Sequence, residues 1–231
     1  MPDRLRILSA NLWGSGGATP EALERVLVAE DVDVACFQEL APEQAEAIAS
    51  VLQHGQLEPS EDHYGLGIAL RAPADFGRLE MQEKPVRTVR LDPKDWPGLG
   101  RELCVWNVHV WAPHVLPIPR SLATRRVQIA SLMRHLAGVG AEDPLVLVGD
   151  FNATPLWPVY RRVASVLRDG PLEVAQRQGR TAAWTWGPWS GAPRMLRIDH
   201  AFVQGVHVED ARTLHIEGTD HSGLLVDVTL G

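Results

Sequence analysis

The chain has 231 residues, is 45% hydrophobic and carries a formal net charge of −7 at pH 7. That length and apolar content suffice for one large α/β domain with a sizeable core. The acidic balance excludes a global basic field that would gather polyanions non-specifically, although a local basic groove stays compatible with it.

No Ser/Gly-rich linker, charge run, low-complexity tract or repeat divides residues 1–231, so a single domain is expected. The two cysteines, Cys36 and Cys104, sit inside apolar runs and have no CxxC spacing, which points to core packing rather than a thiolate zinc site. MPDRLRILSANLWG enters strand-like sequence without an apolar h-region, and no stretch approaches the roughly 18 apolar residues of a membrane span. A cytoplasmic protein without a membrane span, taken as a monomer, is the expectation.

LRILSA (5–10) reads as a strand that stops at Asn11. Thr19-Pro20-Glu21-Ala22 starts a helix, with Thr as N-cap and Pro at the first helical position, running to about residue 30. VDVACF (32–37) is a second strand ending at Gln38-Glu39, and 42–54 reads as a second helix. Segments 64–71, 76–82 and 86–91 look like a run of antiparallel strands, followed by a turn-rich loop over 92–100. RELCVWNVHV (101–110) is a strong strand, followed by a loop, a helix over 121–136 and the strand PLVLVGD. A helix is expected over 156–167. A Trp-rich loop, two strands and GLLVDVTL (223–230) close the chain. Strands bracket helices in both halves, which predicts a layered α/β architecture with mixed sheets.

Polar groups end the strong strands. Asn11 ends the first, Glu39 follows the second, His109 ends LCVWNVH, and Asp150 and Asn152 end LVLVGDFN. Asp199-His200 follows LRI, and Asp220-His221 precedes the last strand. Each alone has an ordinary reading as a cap, a turn residue or a packed histidine. Together, if the strands align, they place several carboxylates at one rim, where they would repel one another unless a cation or histidinium sat among them.

These motifs, SANLWG, CFQE, NVHV, GDFNATP, RIDHAF and TDHSG, occur in this order along nearly the whole chain. The sequence resembles the endonuclease/exonuclease/phosphatase superfamily of metal-dependent phosphoesterases. The resemblance implies a four-layered α/β sandwich, two packed mixed sheets flanked by helices. It implies metal ligation by Asn11, Glu39 and Asp220, and catalytic roles for His109, Asp150, Asn152, Asp199 and His221. The chain departs from some relatives at Trp13, where an aspartate helps to bind metal, and at Thr219, where serine is usual.

Those residue types suit phosphate-ester hydrolysis. Glu39 supplies hard oxygen for Mg²⁺, with Mn²⁺ as the alternative, and Asn11 or Asp220 completes the set. His221 changes charge near neutral pH, and Asp199 is placed to hold its second ring nitrogen. Asn152 and His109 are donors suited to phosphate oxygens. Asp150 fits either of two roles, activating water or protonating the leaving oxygen, and the sequence leaves open whether the site holds one metal or two.

The expected function is divalent-metal-dependent hydrolysis of a phosphate ester, phosphodiesterase- or nuclease-like. The alternatives are a phosphomonoesterase or a phospholipid/sphingomyelin phosphodiesterase, with a non-catalytic binding module behind them. The partner is a phosphate-ester substrate, nucleic acid among the options. Arg125-Arg126 read as a solvated or buttressing helix face. Trp111, Trp157, Trp184, Trp186 and Trp189 read either as rim aromatics or as loop anchors, and His114 as a substrate-contact candidate on a surface loop.

Overall fold

The computed structural model describes residues 4–230. Two βαβ units sit at its centre. In the first, β1 (Leu5–Asn11) passes through α1 (Pro20–Ala29) to β2 (Val34–Gln38), parallel to β1 with Asn11 opposite Gln38. In the second, β7 (Leu103–His109) passes through α3 (Ile118–Leu136) to β8 (Leu145–Asp150), parallel to β7 with His109 opposite Asp150. Thr19 accepts from the Ala22 N–H at 3.2 Å, and Pro20 occupies the first turn, where no helical N–H partner is lost.

Antiparallel strands extend each pair into a six-stranded sheet. The first sheet adds β3 (His54–Glu58), β4 (Leu66–Leu70), β11 (His207–His215) and β12 (Ser222–Thr229), in the order β11-β12-β1-β2-β4-β3. The second adds β5 (Asp75–Leu79), β6 (Val86–Leu91), β9 (Arg168–Asp169) and β10 (Asp199–Gln204), in the order β5-β6-β7-β8-β10-β9.

Alternation along the strands builds the layers. Ile7, Val34, Cys36, Val105, Val146 and Val148 point into the core between the sheets. Leu8, Ala35 and Phe37 point the other way, against α1 and α2 (Pro42–Val51). Leu145, Leu147 and Val108 pack outward against α3 and α4 (Pro158–Val163). Burial on both faces explains why VACF and LVLV are continuous apolar runs. The result is the four-layered sandwich expected from the motifs. Cys36 lies in the inner core and Cys104 is half-buried, both as free thiols.

Several elements differ from the sequence expectation. The second helix stops at Val51, and 54–58 forms the edge strand β3, whose half-buried HGQLE has too weak an apolar pattern to announce itself. The middle strands are not one run: β4 pairs with β2, whereas β5 and β6 join β7 in the other sheet. The helix expected over 156–167 is confined to α4. β9 and α5 (Gly170–Arg177) were not anticipated; Asp169 caps α5 by accepting from the Leu172 N–H at 2.9 Å. Among the described residues no helix is long and apolar enough to cross a membrane.

One polar strut joins the two sheets. Asn107 of β7 is fully buried, donating to the Phe37 and Gly67 carbonyls at 2.9 and 3.0 Å and accepting from the Gln38 amide at 2.6 Å. Asn107→Ala removes three buried hydrogen bonds between the sheets, although the Gln38 amide keeps Ser9 Oγ and the Cys36 carbonyl as acceptors. It is expected to cost about 2–4 kcal/mol, read as a lower urea midpoint with an unchanged slope.

Candidate active site

Topology brings the strand-end groups together. β1, β2, β7 and β8 run in parallel pairs whose C-terminal ends carry Asn11, Glu39, His109 and Asp150. β10 and β12 run antiparallel to their neighbours, so their N-terminal ends reach the same rim with Asp199 and His221. Asp150 is the direct cross-strand partner of both His109 and Asp199. Crevices beyond the carboxyl ends of parallel strands are where such sheets expose functional groups.

The local backbone is strained at this rim. Glu39, Asn152 and Trp13 have φ of 51°, 48° and 64°, left-handed values that non-glycine residues rarely adopt. Gly149, at φ 142°, lets β8 approach β7 so closely that a Cβ there would lie 1.9 Å from the Val108 oxygen.

All eight expected residues gather around one cleft of about 380 Å³ or directly beneath it. The Asn11 amide nitrogen bridges Glu39 Oε1 at 3.2 Å and Asp150 Oδ2 at 3.1 Å, while its oxygen accepts from the Trp13 N–H. Asp150 Oδ1 accepts from the Asn152 N–H at 2.7 Å, and the Asn152 amide donates to Asp150 Oδ2 at 3.0 Å. His109 Nε2 faces Glu39 Oε1 at 3.6 Å and Asp150 Oδ2 at 3.7 Å. His221 Nδ1 pairs with Asp199 Oδ2 at 2.9 Å, and its Nε2 lies 3.9 Å from Asp220 Oδ1.

Electrostatics separates the roles. Burial, then the neighbouring Asp199 charge, pushes Asp150 well above the usual carboxylate range. Burial opposes charge on His221, but Asp199, with Asp150 and Asp220 behind it, outweighs burial and raises its pKa to about 9. His109 goes the other way: burial, then Lys84, holds it well below 6.5.

Asp150, Asp199 and His221 form a buried group whose potential ligand atoms lie within 4.8 Å of one another, able in composition to hold a metal ion. The His221 Nδ1 already engages Asp199, so the open oxygens lie elsewhere. Asp220 Oδ1 is buried without a hydrogen-bond partner, and Glu39 faces the same cleft. An unpartnered buried carboxylate oxygen beside a second carboxylate fits a hard divalent cation.

Of the groups that support this constellation, sequence reasoning singled out Arg125, as a solvated or buttressing face, and Trp186, as a rim aromatic or loop anchor, and did not identify Lys84, Thr185 or Arg194. Lys84 is buried in the cleft wall. Trp186 donates its indole N–H to Asp220 Oδ2 at 2.9 Å, and Thr185 Oγ1 accepts from the Asp199 N–H at 3.1 Å. The Trp-rich loop is therefore a brace for two carboxylates. Arg194 donates to the His221 carbonyl at 2.8 Å. Arg125 is a buttress: it bonds the Trp111 and Asn152 carbonyls from beneath. His114 is exposed and lines the cleft. The signal for Lys84 was compositional, since the chain has two lysines against twenty arginines.

The Endonuclease/Exonuclease/phosphatase family matches residues 8–221. Nocturnin of Drosophila melanogaster is 36% identical over 64 residues, 28% of this chain and 10% of that protein. The chain spans less than half the length of the curated relatives it matches. Among solved structures, the human nocturnin catalytic domain with bound sulfate is similar at a TM-score of 0.72 and 20% identity, covering 100% of this chain and 96% of that one. A mannosyl-6-phosphatase of Bacteroides thetaiotaomicron is similar at a TM-score of 0.71 and 18% identity, covering 98% and 100%. At these identities the likeness is one of fold.

Behind the rim, His200 donates from Nε2 to the Ala153 carbonyl at 2.8 Å, tying β10 to the loop that carries Asn152. Burial, then Arg197, lowers its pKa to about 4. The unfolded chain, with an ordinary histidine pKa near 6.5, binds this proton first. The stability held by neutral His200 is therefore complete above about pH 6.5 and lost as pH falls towards 4, by about 3 kcal/mol. Thermal midpoints across that window should fall with pH, and by less in His200→Asn; equal slopes would refute the assignment.

Proposed function

Because the chain belongs to the endonuclease/exonuclease/phosphatase family, we propose that it is a divalent-metal-dependent hydrolase in which water attacks phosphorus, with a phosphodiester, nuclease-like substrate as the principal reading. The single observation that supports it is the gathering of Asn11, Glu39, His109, Asp150, Asn152, Asp199, Asp220 and His221 from six separate segments at one rim. The reading takes residues 1–231 as one catalytic unit. A relative named as a phosphatase supports the phosphate-ester class without choosing the substrate.

Glu39 and Asp220, with the Asn11 amide beside Glu39, would hold the ion. When bound, Mg²⁺ or Mn²⁺ supplies positive charge for the phosphate oxygens. Asp150 takes the proton of the attacking water: its raised pKa suits a base near neutral pH, and Asn11 and Asn152 fix both its oxygens. His221 is charged at that pH and donates from Nε2 to the phosphate, with Asp199 fixing the ring and stabilising the imidazolium. His109 adds a further donor, and Asn152, whose amide donates to Asp150 Oδ2 and to the Val110 carbonyl, holds Asp150 in place.

Asp150→Asn, Asn152→Ala and His221→Ala are each expected to lower kcat on bis-p-nitrophenyl phosphate by at least about a hundredfold. Chelation should abolish turnover, and added Mg²⁺ or Mn²⁺ should restore it. Full activity in the three variants would refute the mechanism; full activity in excess chelator would refute the metal requirement.

A second reading, an amphiphilic phosphodiester such as sphingomyelin, is favoured by the loops around the cleft. Leu116, next in sequence to the cleft-lining Val115, and Trp184 and Trp189, near the cleft-lining Trp186, are 80%, 60% and 62% exposed. Leu116 offers a base nothing to stack on but suits an acyl chain, whereas the two indoles suit either substrate. Turnover of sphingomyelin in phosphatidylcholine vesicles, compared with a single-stranded oligonucleotide at equal phosphate, decides between them: the preferred substrate should exceed the other by at least about tenfold.

A further inference from the structure

The two outer layers of the sandwich carry opposite charge. Over the first sheet, α1 exposes Glu21 and Glu24 and α2 exposes Glu43 and Glu46, with Arg25 as the one exposed cation of the two helices. Over the second sheet the pattern reverses. Segments 103–141 and 151–167 contain no aspartate or glutamate, although the chain carries 29 of them. Arg120, Arg126 and Arg134 are exposed on α3, and Arg161 and Arg162 on α4. None of the five makes an ion pair among the described residues, whereas Arg25 pairs with Glu217 and Arg71 with Asp31. Five uncompensated guanidinium groups on one layer give a chain of net charge −7 a local positive field.

The rest of that layer is apolar. Every exposed position of α3 is arginine or an apolar residue, and every exposed position of α4 is arginine or proline. The solvent face of a helix ordinarily mixes acids, amides and cations. Here Leu122 and Val127 of α3 are 43% and 50% exposed, and Leu156 and Trp157, just before α4, are 75% and 39% exposed. Between the two helices runs a groove of about 370 Å³ lined by Leu122, Arg126, Trp157 and Arg162, with the Arg125 guanidinium 5.5 Å from the centre of the Trp157 ring. Clustered apolar tips mark a surface that something covers. The arginines among them require that cover to be anionic as well.

We propose that the α3–α4 face docks on an anionic lipid membrane, its arginines meeting the lipid phosphates and carboxylates while Leu122, Val127, Leu156 and Trp157 enter the boundary between headgroups and acyl chains. Arginines set among aliphatic and indole side chains are the composition of an interfacial helix. A nucleic-acid backbone is gripped by hydroxyl and amide side chains as well as by cations, and the exposed positions of both helices offer none. The face also adjoins the cleft. The loop that enters α3 lines the cleft with Trp111, His114 and Val115, and Arg125 bonds the Trp111 and Asn152 carbonyls. Docking therefore sets the cleft mouth beside the lipid headgroups.

The test is flotation of the full-length protein with phosphatidylcholine vesicles, prepared with and without phosphatidylserine. Binding to the mixed vesicles should exceed binding to phosphatidylcholine alone by at least about tenfold and weaken with added salt. The double variant Arg126→Glu, Arg162→Glu should lose at least about tenfold, each cation near an anionic surface being worth about fivefold. Leu122→Ser with Leu156→Ser should lose about threefold or more. Arg25→Glu, on the opposite layer, should change nothing. Wild-type protein that stays off the mixed vesicles overturns the proposal, whether or not the variants fold. Equal binding to both vesicles overturns it, as does binding unmoved by the double reversal. Binding of a single-stranded oligonucleotide, or an oligomer in solution, that the same reversal abolishes while vesicles stay bare assigns the face to nucleic acid or to a second copy and also overturns it. Flotation is read without turnover, so a protein that hydrolyses no phosphate ester would sink the functional reading and leave this one standing.

Discussion

Four carboxylates, Glu39, Asp150, Asp199 and Asp220, meet at the end of two stacked sheets with little water to share between them. Anions removed from water are stable only when cations or hydrogen-bond donors replace their hydration. Most of the cleft follows from that requirement. The His221 ring lies between Asp199 and Asp220, the Lys84 ammonium lies against His109, and the Asn11 and Asn152 amides hold Asp150 Oδ2 while the Asn152 backbone N–H holds Oδ1. Asp220 Oδ1 is left over, a buried oxygen without a hydrogen-bond partner that a divalent cation would satisfy.

The scaffold supports the cluster by rigidity. Each central strand pair is parallel, so its two C-terminal ends lie side by side and their side chains reach one rim. The left-handed residues Glu39 and Asn152 turn the chain at those ends, and such strain persists only where the surroundings fix it. Arg125 and Arg194 do so by bonding the carbonyls of the site loops from below. The Trp-rich loop does so from the side, through Trp186 on Asp220 and Thr185 on the Asp199 backbone. Asn107, although part of NVHV, never reaches the cleft; it keeps the two sheets in register beneath it.

The motif residues were legible because their chemistry is costly: a carboxylate or amide at the end of an apolar run needs a reason, and several such ends suggest a shared one. The central strands and the first helix were legible from unbroken apolar runs and from the Thr19-Pro20 start. β3 and α5 were not, because an edge strand buries one face weakly and a helix of only eight residues that opens Gly170-Pro171 reads as a turn. Lys84 escaped notice because nothing around it in sequence, QEKPV, distinguishes it from a surface turn.

By itself the sequence determined which residue types could do chemistry and that strands would present them, because apolar runs and strand-end polar groups are local properties of the chain. Only the tertiary structure decided the partners. Asp150 lies opposite both His109 and Asp199 because β8 stands between β7 and β10, and Lys84 meets His109 because β5 and β6 cross to the second sheet while β4 remains in the first. Which charge faces which nitrogen depends on such non-local pairing, and that is set by how two sheets pack rather than by any short stretch of residues.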